Sequence, residues 1–181
     1  LHKSRFCLSS LSCSLACWSK LYPVILLPVY LKYLRDSKGR GLKDFALVFA
    51  LSSALILAPV FVSSGWNLLY QIFWYSQNIA YNASVFMLVD GVLESLHVGG
   101  LLAKGFVYVA FLALLIVILK LKRLRSLPGF SDTSIIVFGA FLLFAPAVFQ
   151  WYMIWLLPFL AIRGLRMDTV PWLYLSGAVV L

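Results

Sequence analysis

The sequence predicts an all-α, polytopic integral membrane protein, and three observations carry that expectation. The chain is 63% hydrophobic and only 12% charged, with a mean hydropathy of +0.98. A soluble domain of 181 residues is not built this way; its apolar surface has to be accommodated by lipid. The apolar residues fall into seven runs separated by polar links and one long segment, residues 63–99. When those runs are threaded through a bilayer in order, 13 of the 15 Lys and Arg residues collect on one side. Cationic loops resist translocation, so that side is cytoplasmic. It takes Lys3, Arg5, Lys32, Arg35, Lys38, Arg40, Lys43, Lys120, Lys122, Arg123, Arg125, Arg163 and Arg166; only Lys20 and Lys104 face out.

The first run, Phe6 to Trp18, rises outward and holds all three cysteines, Cys7, Cys13 and Cys17. Their spacing is not CxxC and no His accompanies them, so packed thiols in a helix are expected rather than a metal or redox centre. A turn is expected at Lys20, because Pro23 disfavours helix just before it and suits the first turn of a new one. Tyr22 to Leu34 returns inward; it is short and carries Pro23 and Pro28, as a segment buried among other helices can. Phe45 to Val62 crosses outward after the polar link Ser37-Lys38-Gly39-Arg40-Gly41. Residues 63–99 form the one long external segment. Leu101 to Leu119 comes back, with Lys104 one turn inside its outer end, where it can snorkel. Pro128-Gly129 is expected to turn the cytoplasmic link, and Ile135 to Phe149 crosses outward. Met153 to Ile162 returns, interrupted by Pro158, and Val170 to Leu181 begins a last crossing. The whole, residues 1–181, reads as one transmembrane domain in three parts: 1–62, the external segment 63–99, and 100–181. With Leu1 rather than Met at its start, it reads as part of a longer chain; no cleavable signal peptide is evident.

The net charge of +9 fits cytoplasmic anchors beside anionic headgroups, and no nucleic-acid-binding pattern accompanies it. The absence of an internal repeat leaves the inverted-repeat signature of many transporters unsupported. A transporter or flippase of a lipid-linked or small polar substrate would also place charges near the midplane. A non-catalytic membrane scaffold is the third class; it would tolerate substitution of every polar residue discussed next.

The polar chemistry lies on the outward side. A Lys such as Lys20 costs about 2.5–3.5 kcal/mol if held at the bilayer centre. It either reaches the outer headgroups or meets an anion, for which an ammonium is a good point-charge partner. Trp66, Leu69, Tyr70 and Phe73 follow i, i+3, i+4, i+7 spacing, with Asn67, Gln71 and Ser76 off the stripe. That is a helix lying in the outer interface, either as an aromatic anchor or as a rim that admits a lipid-linked substrate sideways. Asn82-Ala83-Ser84 is formally a glycosylation sequon, a weak signal. Asp90, Glu94 and His97 share one helical face at i, i+4, i+7 spacing and could hold a divalent cation or act as a base, although Gly91 and the short span weaken the helix and a solvated polar face is the favoured reading. Gln150, Trp151, Tyr152 and Trp155 gather at an outer turn. They are an aromatic belt, or rings that pack on sugar faces beside an amide that bonds hydroxyls.

Three stretches together resemble the C-terminal half of integral-membrane glycosyltransferases of the GT-C superfamily. They are Ser19-Lys20-Leu21-Tyr22-Pro23-Val24 with Leu27-Pro28; Tyr81-Asn82-Ala83-Ser84-Val85-Phe86; and Phe149-Gln150-Trp151-Tyr152 with Trp155-Leu156-Leu157-Pro158. The chain is similar to glycosyltransferase family 87 and to the catalytic mannosyltransferase of glycosylphosphatidylinositol assembly, over roughly residues 18–162. The resemblance implies transfer of a sugar, mannose first, from a polyprenyl- or dolichyl-phosphate donor on the external or luminal face, with inversion. It implies that Lys20 and Tyr22 meet the donor phosphate, and that Asn82, Gln150, Trp151 and Tyr152 hold sugar or acceptor. The acidic catalytic residue of such enzymes lies in an early external loop upstream of these residues. Asp90 and Glu94 are not placed in that role, and the divalent cation remains only a possibility. The membrane is expected to be the plasma membrane in a prokaryote and the endoplasmic reticulum in a eukaryote.

Overall fold

The computed structural model describes residues 2–37, 41–78, 84–97, 100–145, 150–164 and 170–171. Among the described residues the fold is all-helical, with no strand. It divides into two compact units, Leu1–Asn78 and Ile79–Leu181, so the division falls inside the external segment expected at 63–99.

The first unit contains α1 (His2–Lys20), a 3₁₀ helix (Tyr22–Leu26), α2 (Leu27–Asp36), α3 (Leu42–Ser64) and α4 (Asn67–Asn78). The contact of α1 with α3 dominates it. It is made by small side chains: Ser10, Ser14 and Cys17 recur on one face of α1 and are fully buried. Ser10 donates to the Phe45 carbonyl at 2.7 Å, and the Ser14 and Ser53 hydroxyls are 3.0 Å apart. Small residues let two backbones approach, and hydroxyl pairs add hydrogen bonds where lipid offers none. Both contacts advance in the same sense along the two helices, so α1 and α3 run parallel and α2 supplies the return. Tyr30 of α2 seats this return, sharing a hydrogen bond with Ser9 and packing its ring 5.0 Å from that of Phe45. Lys32 closes onto Asp36 at 3.0 Å in the last turn of α2.

The second unit contains α5 (Ser84–Ser95), α6 (Leu101–Leu121), α7 (Leu127–Phe144), a 3₁₀ helix (Gln150–Leu156) and α8 (Leu157–Arg163). Its core is apolar and aromatic. Phe138 of α7 meets Phe141 and Trp155, with ring centroids 5.8 and 5.7 Å away. Phe86, Ala103 and Val107 form a second nucleus with Val89, Leu93 and Phe144 around it, so α5 lies against the early turns of α6 and the end of α7. Polar contacts join its elements too: buried Ser131 donates to the Phe159 carbonyl at 2.7 Å, and the partly exposed Asp132 pairs with Arg163, fastening α8 to the first turns of α7.

Among the described residues three helices are long and apolar enough to cross a membrane: Leu42–Ser64 with 23 residues, Leu101–Leu121 with 21 and Leu127–Phe144 with 18. At 1.5 Å per residue the longest spans about 35 Å, against about 30 Å of hydrocarbon. The other expected crossings differ. The helix α1 has 19 residues, but Lys3, Arg5 and its serines leave it too polar to count with these three. The two 3₁₀–α pairs are short. The run Val170 to Leu181 lies almost wholly outside the described residues.

One boundary moves for a clear reason. Pro128-Gly129 does not form the turn of the link between α6 and α7. Both sit in the first turn of α7, with Ser126 as N-cap accepting from the Gly129 amide at 3.3 Å. Serine is a preferred cap and proline fits the first helical turn, where its missing N–H is not needed. The chain therefore reverses over Lys122–Arg125, and α7 starts eight residues before the expected Ile135.

Candidate functional site

In the first unit the expected turn at Lys20 is present and sharp. The helix α1 ends at Lys20, and Leu21 adopts φ 58°, ψ −33°. Positive φ places Cβ against the following carbonyl, and for a bulky side chain it is uncommon and costs about 1–3 kcal/mol. Two backbone bonds over-determine the conformation: Leu21 N–H donates to the Cys17 carbonyl at 2.7 Å, and Val24 N–H donates to the Leu21 carbonyl at 3.1 Å. Pro23 lies in the first turn of the 3₁₀ helix and fixes its direction. Lys20 emerges exposed at this corner, and Tyr22 is half-buried one residue beyond Leu21. Close by, the indole N–H of Trp18 is buried without a hydrogen-bond partner. The strained, doubly pinned backbone fixes where the Lys20 side chain leaves the chain, at a reversal between helices.

In the second unit Tyr152 is 2% exposed. Its ring stacks on Trp155 with centroids 4.7 Å apart and planes 18° from parallel. Trp155 in turn meets Phe138 edge-on. One face of the Tyr152 ring is thus occupied by the protein itself, and its location is a core position rather than an open platform. Gln150 and Trp151 begin the 3₁₀ helix next to it; their side chains, like the whole of Asn82, lie outside the described residues.

Asp90, Glu94 and His97 do not share a helical face. The helix α5 ends at Ser95, and His97 follows in a turn at φ 57°. Asp90 has a different use: its carboxylate accepts the Gly100 amide at 2.6 Å, placing a negative charge at the start of α6. That position complements the helix dipole. Glu94 is exposed. Among the described residues no three His, Cys, Asp or Glu side chains gather as a metal-holding group.

Lys104 departs from expectation. It does not extend to the surface but is 8% exposed, in the second turn of α6 beside the Ala103–Val107 nucleus. It makes an interaction of its own there. Sequence position suggested snorkelling because Lys104 is one turn from a helix end; the packing of α5 over that end was not readable from periodicity. Likewise Leu21 carries no sequence mark of strain, whereas Pro23 does mark the turn that strains it.

The chain matches no protein-family model, no curated protein and no solved structure.

Proposed function

We propose that this chain is part of a multi-pass membrane glycosyltransferase of the GT-C type, passing a sugar, mannose first, from a polyprenyl-phosphate donor to an acceptor hydroxyl on the outward face. The additional crossings of this reading are α1, the two short helical pairs and the run from Val170. The observation that carries it is the Lys20 corner, an exposed lysine at a strained and pinned turn, in a link that threading the apolar runs in order puts opposite 13 of the 15 cations. Three helices able to cross a membrane and the one-sided distribution of Lys and Arg support the setting.

In the reaction, the acceptor oxygen attacks the anomeric carbon as the bond from that carbon to the phosphate oxygen breaks. The polyprenyl phosphate leaves with the electron pair, and a carboxylate supplied from outside these residues takes the acceptor proton. Negative charge grows on the departing phosphate. Lys20 opposes that charge in the transition state more than in the ground state, which is the condition for acceleration. Tyr22 offers a hydroxyl donor beside it. Asn82, Gln150 and Trp151 are assigned to sugar and acceptor. Tyr152, buried and stacked on Trp155, anchors the 3₁₀ helix that begins with Gln150 and Trp151.

The test is transfer of labelled mannose from polyprenyl-phosphate-mannose by membranes containing the protein. Lys20→Met is expected to lower transfer on the order of 100-fold, the loss typical of removing one transition-state charge partner, with membrane insertion unchanged. Arginine at the same place keeps the charge and should restore part of the activity. Near-normal transfer by the methionine variant would sink the assignment and leave the scaffold reading.

A further inference from the structure

The junction of α6 and α7 carries Lys120, Lys122, Arg123 and Arg125, four cations in six residues. All four are exposed, and among the described residues none has an ion pair. Like charges this close repel, and the sequence offers nothing nearby to offset them. No Asp or Glu lies between Glu94 and Asp132, and Asp132 is taken by Arg163. The junction of α2 and α3 is composed differently: Lys32 and Arg35 both meet Asp36, and Lys43 is followed by Asp44.

The link is also held in shape. Leu124, in its middle, is 1% exposed and ties it to the fold. Lys122 at one end (φ −91°, ψ 130°) and Ser126 at the other (φ −131°, ψ 155°) are extended. In extended backbone the neighbours of a buried residue leave on the opposite face. Arg123 and Arg125 therefore project together, away from the core, with Cα atoms about 7 Å apart. The helix α7 begins directly after them, and the positive end of its dipole adds to the same field. Leu121 and Leu127, on either side of the link, are 77% and 51% exposed. They end two helices long and apolar enough to cross a bilayer, so the cations stand where hydrocarbon gives way to headgroups.

We propose that the α6–α7 link is a binding site for the headgroup of an anionic phospholipid, with the phosphate bridged by Arg123 and Arg125 and with Lys120 and Lys122 at its rim. Guanidinium groups meet phosphate oxygens through paired N–H donors, and cations just beyond a membrane helix draw acidic lipids. Charge complementarity selects an anion, and the exposed leucines that bracket the cations select one that resides in the bilayer. On the threaded topology the link lies opposite Lys20, and the site does not rest on the transferase reading.

The test titrates phosphatidylglycerol, and separately phosphatidylcholine, into the chain in neutral detergent and follows bound lipid by native mass spectrometry. Phosphatidylglycerol should bind the more tightly. That preference should fall about fivefold in Arg123→Gln and about fivefold in Arg125→Gln, the share of one cation at an anionic surface. Arg35→Gln combined with Lys43→Gln removes as much charge from the α2–α3 junction as the two arginine changes remove here, and should leave the preference unchanged. Equal losses from the two double variants would show attraction to net charge alone and overturn the site. Equal binding of the two lipids by the unaltered chain would overturn it as well. So would a polyglutamate peptide that displaces phosphatidylglycerol and whose binding both arginine variants abolish, because the link would then serve a soluble acidic partner.

Discussion

The two units solve the same problem by different means. In the first, α3 buries only 11% of its apolar window, and hydroxyls make its best-defined contacts, with Ser10 on the Phe45 carbonyl and Ser14 on Ser53. In the second, α7 buries 50% of its window, and Phe138, Trp155 and Tyr152 interlock around it. Both helices are long and apolar enough to cross a bilayer, so apolarity alone does not decide which is buried. Lipid tails are as apolar as leucine, and no hydrophobic gain separates a lipid contact from a helix contact. Close approach of small residues holds the first unit; filled volume around aromatic rings holds the second.

Removing volume should therefore hurt the second unit most. Phe138 is 1% exposed and touches two other rings. Phe138→Ala is expected to destabilise by about 3–5 kcal/mol, the usual cost of an aromatic cavity that neighbours cannot close. Unfolding by sodium dodecyl sulfate, followed through Trp155 fluorescence, measures it. A loss below about 1 kcal/mol, far from that range, would mean that the aromatic core is loosely packed and the contrast between units false.

The first unit should instead be sensitive to added volume. Ser14→Leu would push α1 from α3 and is expected to cost about 1–3 kcal/mol, as overpacking does. Removing the hydroxyl alone is milder: a double-mutant cycle of Ser14→Ala and Ser53→Ala should give a coupling of about 0.6 kcal/mol, near the average for such pairs in membranes. Cross-linking yield between engineered cysteines on the two helices reports both effects. Equal tolerance of leucine and alanine at position 14 would show that the helices are not in close approach there.

Different layers of this structure were legible in the sequence to different degrees. The long apolar runs at α3 and α6 give their helices directly, and Pro23 gives the turn after Lys20. The start of α7 is not legible because Pro128-Gly129 reads as a turn, whereas Ser126 three residues upstream of Gly129 caps a helix that includes both. The grouping of Asp90, Glu94 and His97 assumed that a helical period continues to 97, and the helix ends at Ser95. The burial of Lys104 and Tyr152 depends on which helices pack over them, and local spacing carries no record of that.

The smallest expected effect distinguishes the two units at their strained residues. Leu21 in the first and His97 in the second both have positive φ, 58° and 57°. Histidine is enriched in that region among non-glycine residues, and leucine is not. Glycine at position 21 would release about 1–3 kcal/mol of strain. It would forfeit about 1 kcal/mol through the freer unfolded chain, along with the contacts of a side chain that is 41% exposed. A net gain of about 0.5 kcal/mol is expected for Leu21→Gly from these two terms, and no gain for His97→Gly. If the corner exists to hold Lys20 in one place, the same glycine should lower transfer while raising stability, because strain of this kind persists where a fixed geometry is needed. Parallel detergent-denaturation and transfer assays on Leu21→Gly decide it. A variant that is both more stable and fully active would show the bend at Leu21 to be a packing accident, and the ammonium above it no better placed than any surface lysine.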